Sequence, residues 1–256
     1  MTNDRRKRAQ RAEQMRLERE QAQRKQRMFF TGGIVLVLIA LIALGAWAIN
    51  SSGGKAETNK NLSTTYVAPK NVGDKGEVTY ASSTATDPVK VVVYEDFGCP
   101  FCKQFEDSAG DFLTKSVVDG DITLEWHPIA VLDRVSKNQY STRSLNAAMC
   151  VLDSTDIKTY IAMHDLLFAN QPKEQTNGPS DAKLAAFATQ AGAGNLTTCI
   201  DTQTFGKWTV KMKDQVLAEG LKSTPTIAIK GKKVSGSQGG APSVAELKKA
   251  IAAARS

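Results

Sequence analysis

A Cys-x-x-Cys motif, Cys99 to Cys102, lies between a strand-forming segment and a segment with helical periodicity. The run from Val89 to Tyr94 is almost entirely apolar, which is typical of a central strand buried on both faces. At a helix start this spacing brings the two sulfurs close enough to bond without large strain. Free N–H groups and the helix dipole there favour the thiolate of the first cysteine. The motif therefore predicts a β-α unit with thiol–disulfide chemistry.

Half of a zinc site has the same spacing, so a metal site is the alternative. Structural zinc takes four ligands, usually from two cysteine pairs or from one pair and two histidines. Cys150 and Cys199 are far apart in the sequence, and His127 and His164 lack the spacing of a metal pair. We therefore expect redox cysteines, no metal and no cofactor.

Residues 1–27 form a basic tail with ten Lys or Arg and four acids. This tail carries +6 of the formal charge of +7, so the rest of the chain is nearly neutral. The charge is therefore no sign of a nucleic-acid-binding domain, and we expect no nucleic-acid partner.

Residues 28–49 carry no charge and are long enough to span a hydrocarbon core of about 30 Å. The basic flank predicts a cytoplasmic N-terminus and an extracytoplasmic remainder. We expect a transmembrane signal-anchor in the cell membrane. The alternative is a signal peptide cleaved at Ala46-Trp47-Ala48, but the apolar stretch exceeds the roughly 7–15 residues of such a peptide.

The remaining chain divides into a stalk and one domain. Residues 50–78 are polar with little periodicity, which indicates a flexible stalk. Residues 79–256 begin with the strand and helix around the motif, and this helix is predicted to end near Asp119-Gly120. Alternation over 122–126 predicts a second strand and therefore a β-α-β unit.

A helical insert at about 137–220 follows, since apolar residues there recur at steps of three and four. The chain then returns to strands at Thr226–Ile229 and Lys233-Val234. A last helix starts at Ser243, with Glu246 at the spacing of a capping box. The architecture is β-α-β, a helical insert, then β-β-α, an α/β fold.

This order of elements, the Cys-Pro-Phe-Cys motif and Thr224-Pro225 before the third strand resemble the thioredoxin superfamily. The helical insert resembles its DsbA-like branch, and residues 92–99 and 138–143 resemble membrane-anchored DsbA-like proteins of actinobacteria. The resemblance covers roughly residues 79–256. It implies a thioredoxin-like fold with a helical insertion, here preceded by one N-terminal transmembrane helix, and a thiol–disulfide oxidoreductase.

The two cysteines of the motif have different expected roles. Cys99, at the exposed helix tip, should be attacked by a substrate thiolate, and Cys102, buried one turn in, should be the leaving thiolate. The alternative is a stabilising disulfide, but so short a loop restricts the unfolded chain little. The residues between the cysteines, Pro100 and Phe101, are expected to tune the redox poise, and Pro100 suits a first helical turn. Phe101 offers apolar surface to a peptide, whereas strongly oxidising family members have His there, so the oxidising strength stays open.

The resemblance also implies a substrate clamp and a buried acid. Pro225 matches a cis-proline that lies against the active-site disulfide and lets Thr224 present its backbone to an extended substrate. The alternative is an ordinary trans-proline at a strand start. Many members place a buried acid six residues before the first cysteine, where this chain has Val93. Glu95 and Asp96 could take over this proton-transfer and redox-tuning role through water, or could be solvated loop carboxylates or charges at the helix N-terminus.

Cys150 and Cys199 both fall in the helical insert. An exported chain keeps few free thiols, and an even remainder of two suggests a structural disulfide. The family branch also carries a disulfide in its insert, and the alternative is a second redox pair.

These features favour a membrane-anchored, extracytoplasmic enzyme that inserts disulfides into exported proteins with free cysteines. The resemblance implies reoxidation by a quinone-linked membrane oxidase of the DsbB or vitamin-K-epoxide-reductase type. A disulfide reductase or isomerase is one alternative. A thiol-based chaperone or metal-handling binding protein is the other.

Overall fold

The computed structural model describes residues 63–237 and 239–255. The predicted basic tail at 1–27, the predicted transmembrane segment at 28–49 and the stalk up to residue 62 lie outside these described residues. Within the described part, no helix combines the length and apolar character needed to cross a membrane.

The described domain contains five strands and seven α-helices, with one short 3-10 helix at Asp133–Val135. The strands are β1 (Val78–Tyr80), β2 (Val89–Glu95), β3 (Ile122–Pro128), β4 (Thr226–Ile229) and β5 (Lys232–Val234). The helices are α1 (Pro100–Val118), α2 (Tyr140–Ser154), α3 (Ile157–Ala169), α4 (Asp181–Ala191), α5 (Thr197–Asp201), α6 (Gly206–Ala218) and α7 (Val244–Arg255).

The strands form one sheet in the order β1-β3-β2-β4-β5. The central strand β2 is parallel to β3 and antiparallel to β4, and each edge strand is antiparallel to its neighbour. Val91, Val93 and Glu95 on β2 are all buried. Because strand side chains alternate, these three lie on the same face, so β2 carries a carboxyl group into the core. The thioredoxin-like fold with a helical insertion is confirmed, and the edge strand β1 is an additional element that the predicted order lacked.

Helix α1 starts directly after the first cysteine, with Pro100 at its first position. Proline lacks a backbone N–H, but the N–H of a first helical residue has no acceptor within the helix, so no hydrogen bond is lost. Its buried positions include Phe105, Ala109, Leu113 and Val117, spaced by four residues. The apolar stripe fixes the helix on the sheet and thereby the position of its N-terminus.

The predicted end of α1 and the predicted start of α7 are both confirmed. The chain turns after α1 at Gly120, whose φ of +81° is readily adopted by glycine. At the start of α7, the N–H of Ser243 donates to Glu246 Oε2 (2.8 Å), while the N–H of Glu246 donates to Ser243 Oγ (3.4 Å). This reciprocal pair is the capping box that the spacing predicted.

The predicted insert at about 137–220 contains α2 to α6, and α2 lies at its centre. All residues of α2 from Tyr140 to Leu152 are buried. Asn146 connects this helix to the later part of the insert, because its Oδ1 accepts the N–H of Phe205 (2.9 Å) and its Nδ2 donates to the Cys199 carbonyl (3.4 Å).

The folded domain begins before the predicted boundary at residue 79. β1 starts at Val78, which is fully buried. Further upstream, the N–H of Lys70 donates to Asp153 Oδ1 (2.7 Å) and Asn71 Nδ2 donates to the Leu152 carbonyl (3.0 Å). This part of the predicted stalk is therefore bound to the end of α2. Polar contacts and the packing of a single apolar residue, Val72, against the core hold this segment. One apolar residue leaves no periodic pattern, which explains why the sequence did not reveal it.

Cys150 on α2 and Cys199 on α5 form a disulfide, with their Cα atoms 6.0 Å apart and 49 positions apart in the sequence. The bond ties two helices of the insert together, whereas Cys99 and Cys102 are free thiols. This placement supports a structural role rather than a second redox pair.

We expect the double variant Cys150→Ala, Cys199→Ala to lose about 4 kcal/mol of unfolding free energy, because a loop of this length is no longer closed in the unfolded chain. Urea denaturation of wild type and variant would measure the difference. Alkylation of Cys99 should be unchanged in the folded variant. A folded variant of full stability whose thiol exchange fails would instead indicate a second redox pair.

Candidate active site

The two cysteines of the motif occupy the start of α1. Cys99 is the N-cap, with extended backbone angles (φ −84°, ψ 116°), and Cys102 lies in the first turn. Cys102 is fully buried, as predicted. Cys99 is only 3% exposed, so the prediction of an exposed sulfur was wrong. The residue that the helix tip does expose is Phe101, at 63%.

The segment before β4 contacts Cys99 and contributes to its burial. The Cys99 thiol donates to the Thr224 carbonyl at an Sγ–O distance of 3.4 Å. The Thr224-Pro225 bond is cis, as predicted. The resemblance implied that this segment lies against the cysteine pair, whereas local sequence pattern could not show it, since 125 positions separate the contacting residues.

The two thiols differ in acidity. The hydrogen bond with Cys102 has the largest effect on Cys99; burial opposes it, but contacts with Thr224 and backbone N–H groups assist, and the pKa of Cys99 falls to about 7. Burial raises the pKa of Cys102 well above its ordinary value, and the hydrogen bond and charge of Cys99 raise it further. At neutral pH the first cysteine therefore supplies a thiolate, while the second keeps its proton.

Asp96 shapes the loop between β2 and α1. It is fully buried, and its carboxylate accepts the N–H groups of Gly98 (2.7 Å), Val131 (2.8 Å) and Leu132 (3.0 Å). Burial raises the pKa of Asp96 to about 6, although these hydrogen bonds act in the opposite direction. The interpretation of Asp96 as a solvated carboxylate was wrong. Its buried carboxylate stabilises the loop through these hydrogen bonds.

Gln171, at the start of the segment after α3, was not predicted as a site residue. Its Nε2 donates to the carbonyls of Phe97 (2.8 Å) and Cys99 (3.0 Å). The helical insert thus holds the loop that carries the first cysteine. No sequence signal identifies a polar residue in a loop as such a contact.

Glu95 points into the core beneath the motif. It is 1% exposed, and its Oε1 lies 2.8 Å from Nε2 of His164 on α3. Val93, where many relatives place an acid, is buried on the same face of β2. Glu95 therefore supplies a carboxyl group two residues along that face. The charge of Glu95 is one of the factors that raise the pKa of Cys102.

His164 and Glu106 complete this buried cluster, and neither was predicted as a site residue. Burial alone would lower the pKa of His164, but the charge of Glu95 and hydrogen bonds with Asp165 and Glu95 raise it well above its ordinary value. Burial, and then the charge of Glu95, raise the pKa of Glu106 to about 8. A histidine within the apolar pattern of α3 indicates a buried polar side chain, which needs a hydrogen-bond partner. The sequence does not show which residue that partner is.

Among the described residues, Glu95, Glu106 and His164 are the set of three ligand-type groups close enough together for a metal ion, with atoms within 4.8 Å of one another. The Glu95–His164 hydrogen bond already joins two of them directly, and Glu106 is protonated at neutral pH. Protons thus balance the charges of this cluster.

A family model described as thioredoxin matches residues 76–253. The reduced disulfide bond oxidoreductase DsbG from Mycobacterium tuberculosis is 29% identical, with a TM-score of 0.58 over 72% of this chain and 97% of its own. Reduced DsbA from the same organism is 29% identical, with a TM-score of 0.56 over 70% of this chain and 98% of its own. MdbA, a thiol-disulfide oxidoreductase from Corynebacterium diphtheriae, is 26% identical, with a TM-score of 0.54 over 64% of this chain and 87% of its own. No curated protein matches the sequence.

These matches agree with the fold, the free cysteine pair at the start of α1 and the cis-proline beside it. The chain therefore belongs to the DsbA-like thiol–disulfide oxidoreductases of the thioredoxin superfamily.

Proposed function

We propose that this protein forms disulfides in exported proteins through Cys99 and Cys102. The observation that carries the proposal is the free Cys99–Cys102 pair at the start of α1, where the Thr224 carbonyl of the cis-proline segment lies 3.4 Å from Cys99 Sγ. A substrate bound to that segment meets Cys99, and the pKa of Cys99, about 7, makes its thiolate a good leaving group when the mixed disulfide is resolved.

The reaction starts from the Cys99–Cys102 disulfide. A substrate thiolate attacks Cys99 Sγ, the S–S bond breaks, and Cys102 leaves with the electron pair and takes up a proton. The second substrate thiol then attacks the mixed disulfide and releases Cys99 as a thiolate. The substrate loses two electrons, and the enzyme becomes a dithiol.

The surface around Cys99 suits an extended peptide. The Thr224 carbonyl beside the sulfur is an acceptor for a substrate N–H, as in strand addition, and Pro225 orients this segment. The exposed ring of Phe101 offers apolar contact without charge. Such a site accepts many sequences, because backbone groups do most of the recognition.

The predicted topology places this chemistry outside the cytoplasm. In the proposal, residues 28–49 anchor the chain with the basic tail at 1–27 inside, and the segment from residue 50 leads to the folded domain. The dithiol is reoxidised by a quinone-linked membrane oxidase of the DsbB or vitamin-K-epoxide-reductase type.

A reductase or isomerase is the second candidate, and the acidity of Cys99 is the observation that favours it. The pKa of Cys99, about 7, is close to that of thioredoxin at about 7 and far from that of the strongly oxidising DsbA at about 3.5. The redox state of the pair in cells separates the candidates: an oxidase is found as the disulfide, a reductase as the dithiol.

We expect Cys102→Ala to trap mixed disulfides between Cys99 and exported proteins in cells, because without the Cys102 thiol the mixed disulfide cannot return to the Cys99–Cys102 disulfide. Non-reducing electrophoresis would reveal the adducts, and mass spectrometry would identify the partners. The double variant Cys99→Ala, Cys102→Ala is the matched control and should give none. Adducts that persist in this control would contradict the proposal.

The alkylation rate of Cys99 should rise with pH around a midpoint of about 7, since only the thiolate reacts. Below this pH the rate falls as the thiolate becomes protonated. In Cys102→Ala the midpoint should move up towards the ordinary cysteine value of about 8.5, because the hydrogen bond with Cys102 contributes most to the lowered pKa. An unchanged midpoint in this variant would show that another group sets the pKa.

The full chain should remain with the membrane after extraction at alkaline pH, since about 20 apolar residues anchor it. A variant without residues 28–49 should be released. Protease added to cells whose outer surface is accessible should cut the domain from its anchor. A mature chain that begins after Ala48 would show that the segment is a cleaved signal peptide.

A further inference from the structure

The exposed apolar side chains of the domain gather around helix α6. Six large hydrophobic residues are exposed in the described part of the chain, and four of them lie on α6 or on the segment beside it: Tyr66, Val67, Val210 and Leu217. Val210 and Leu217 are seven residues apart, which puts them on the same side of the helix. These four residues, together with the exposed Lys207 and Lys211, form the α6 face. Exposed apolar residues that occur singly need no explanation, but a group of them marks an interaction surface.

The α6 face is positively charged as well as apolar. A shallow surface groove on it is lined by Tyr66, Lys207, Val210, Lys211, Asp214 and Gln215. The Nζ of Lys211 lies 5.1 Å from the centre of the Tyr66 ring. Asp214, the carboxylate of the groove, pairs with Lys213 at 3.4 Å. No carboxylate of the described residues therefore forms an ion pair with Lys207 or Lys211.

The chain enters the domain at this face. Lys207 donates a hydrogen bond to the carbonyl of Thr64, so the first described residues lie beside α6. Only 13 residues, 50–62, separate them from the uncharged segment 28–49, which the proposed function places in the membrane. A chain of this length reaches at most about 45 Å, even when it is fully extended. The anchor would therefore keep the α6 face within reach of the bilayer.

The chemistry of the α6 face matches the surface of an anionic bilayer. Tyrosine is enriched at membrane–water interfaces, where its ring and its hydroxyl both find suitable surroundings. Lysine side chains extend along apolar surface and place their ammonium groups among the headgroups. Anionic lipids attract such groups at close range. A helix face that only meets water would carry the lysines, but it would not gather four exposed apolar side chains.

We propose that the α6 face docks on the anionic lipid headgroups of the bilayer that holds the anchor. Tyr66, Val67, Val210 and Leu217 lie at the level of the headgroups, and the two lysines bind the phosphates. This inference rests on the membrane anchor of the proposed function, and it adds an orientation of the folded domain to it.

The docked orientation has a consequence for the redox pair. Residues 219–224 lead from the end of α6 to the Thr224 carbonyl, which contacts Cys99 Sγ. A segment of this length spans at most about 20 Å. Docking of α6 therefore keeps Cys99 close to the bilayer, where an oxidase embedded in the membrane meets it.

The test uses the full chain with the Cys99–Cys102 pair oxidised, in nanodiscs of phosphatidylcholine with or without added phosphatidylglycerol. Neither lipid has an amine that a water-soluble acetylating reagent modifies, and mass spectrometry gives the acetylation rate of each lysine. With phosphatidylglycerol the rates at Lys207 and Lys211 should fall by about threefold or more, because the headgroups hold both ammonium groups. Lys232 and Lys233 on β5 are exposed internal controls, and their rates should not change.

A negative charge in the apolar part of the α6 face should abolish this protection. Val210→Asp adds a carboxylate that the lipid phosphates repel, and the fold should tolerate it because Val210 is exposed. Val118→Asp is the matched control, since Val118 is an exposed valine on α1. Protection of Lys207 and Lys211, taken as the ratio of rates in the two lipid compositions, should equal that of wild type in this control.

Four outcomes would overturn the inference. Equal rates at Lys207 and Lys211 in both lipid compositions would do so, and so would protection that persists in Val210→Asp. An equal fall at Lys232 and Lys233 would show a general effect of the charged bilayer. Protection in native membranes that is absent from the nanodiscs would show that a protein covers this face.

Retention of the chain in the nanodiscs reports on the anchor separately. A chain that is retained without protection overturns the docking alone, whereas a chain that is lost from the nanodiscs overturns the anchor as well. Thiol exchange takes no part in this readout, so the result does not depend on whether the enzyme forms or reduces disulfides.

Discussion

The hydrogen bond between Glu95 and His164 joins the central strand to the helical insert directly beneath the redox cysteines. Both residues are almost fully buried, and the contact is 2.8 Å long. Removing one partner of a buried ion pair typically costs about 3–5 kcal/mol, because the other charge is left without compensation. The pair therefore fixes α3 against β2. It also places a negative charge under Cys102, which helps to keep that thiol protonated.

The loop above this pair is assembled from segments that are distant in the sequence. Asp96 braces it through the N–H groups of Val131 and Leu132, and Gln171 holds the carbonyls of Phe97 and Cys99. The Thr224 carbonyl then covers the sulfur. Each contact satisfies a buried polar group, and unsatisfied groups of this kind are costly. The position of Cys99 is thus over-determined, which suits a nucleophile that must meet many different substrates in one geometry.

Local sequence signals were sufficient for the elements around the motif. The apolar run of β2, the proline at the first position of α1 and the Ser243–Glu246 spacing at α7 each act within a few residues, and all three predictions hold in the structure. The start of the domain was missed, since Lys70 and Asn71 bind the end of α2 through polar contacts that leave no periodic pattern. His164 and Glu106 were missed as site residues because their roles depend on a partner from another element.

By itself the sequence determined which sulfur stands at the helix start, since backbone geometry at a Cys-x-x-Cys motif is local, and it determined the β-α-β order through hydrophobic periodicity. Only the tertiary structure decided the environment of each group. The sequence placed Glu95 and Asp96 side by side without direction, whereas the fold turned Glu95 towards His164 and Asp96 towards the loop after β3. It also buried Cys99, which the sequence predicted to be exposed. Acidity depends on burial and on nearby charges, and in this protein those come from residues up to 125 positions away.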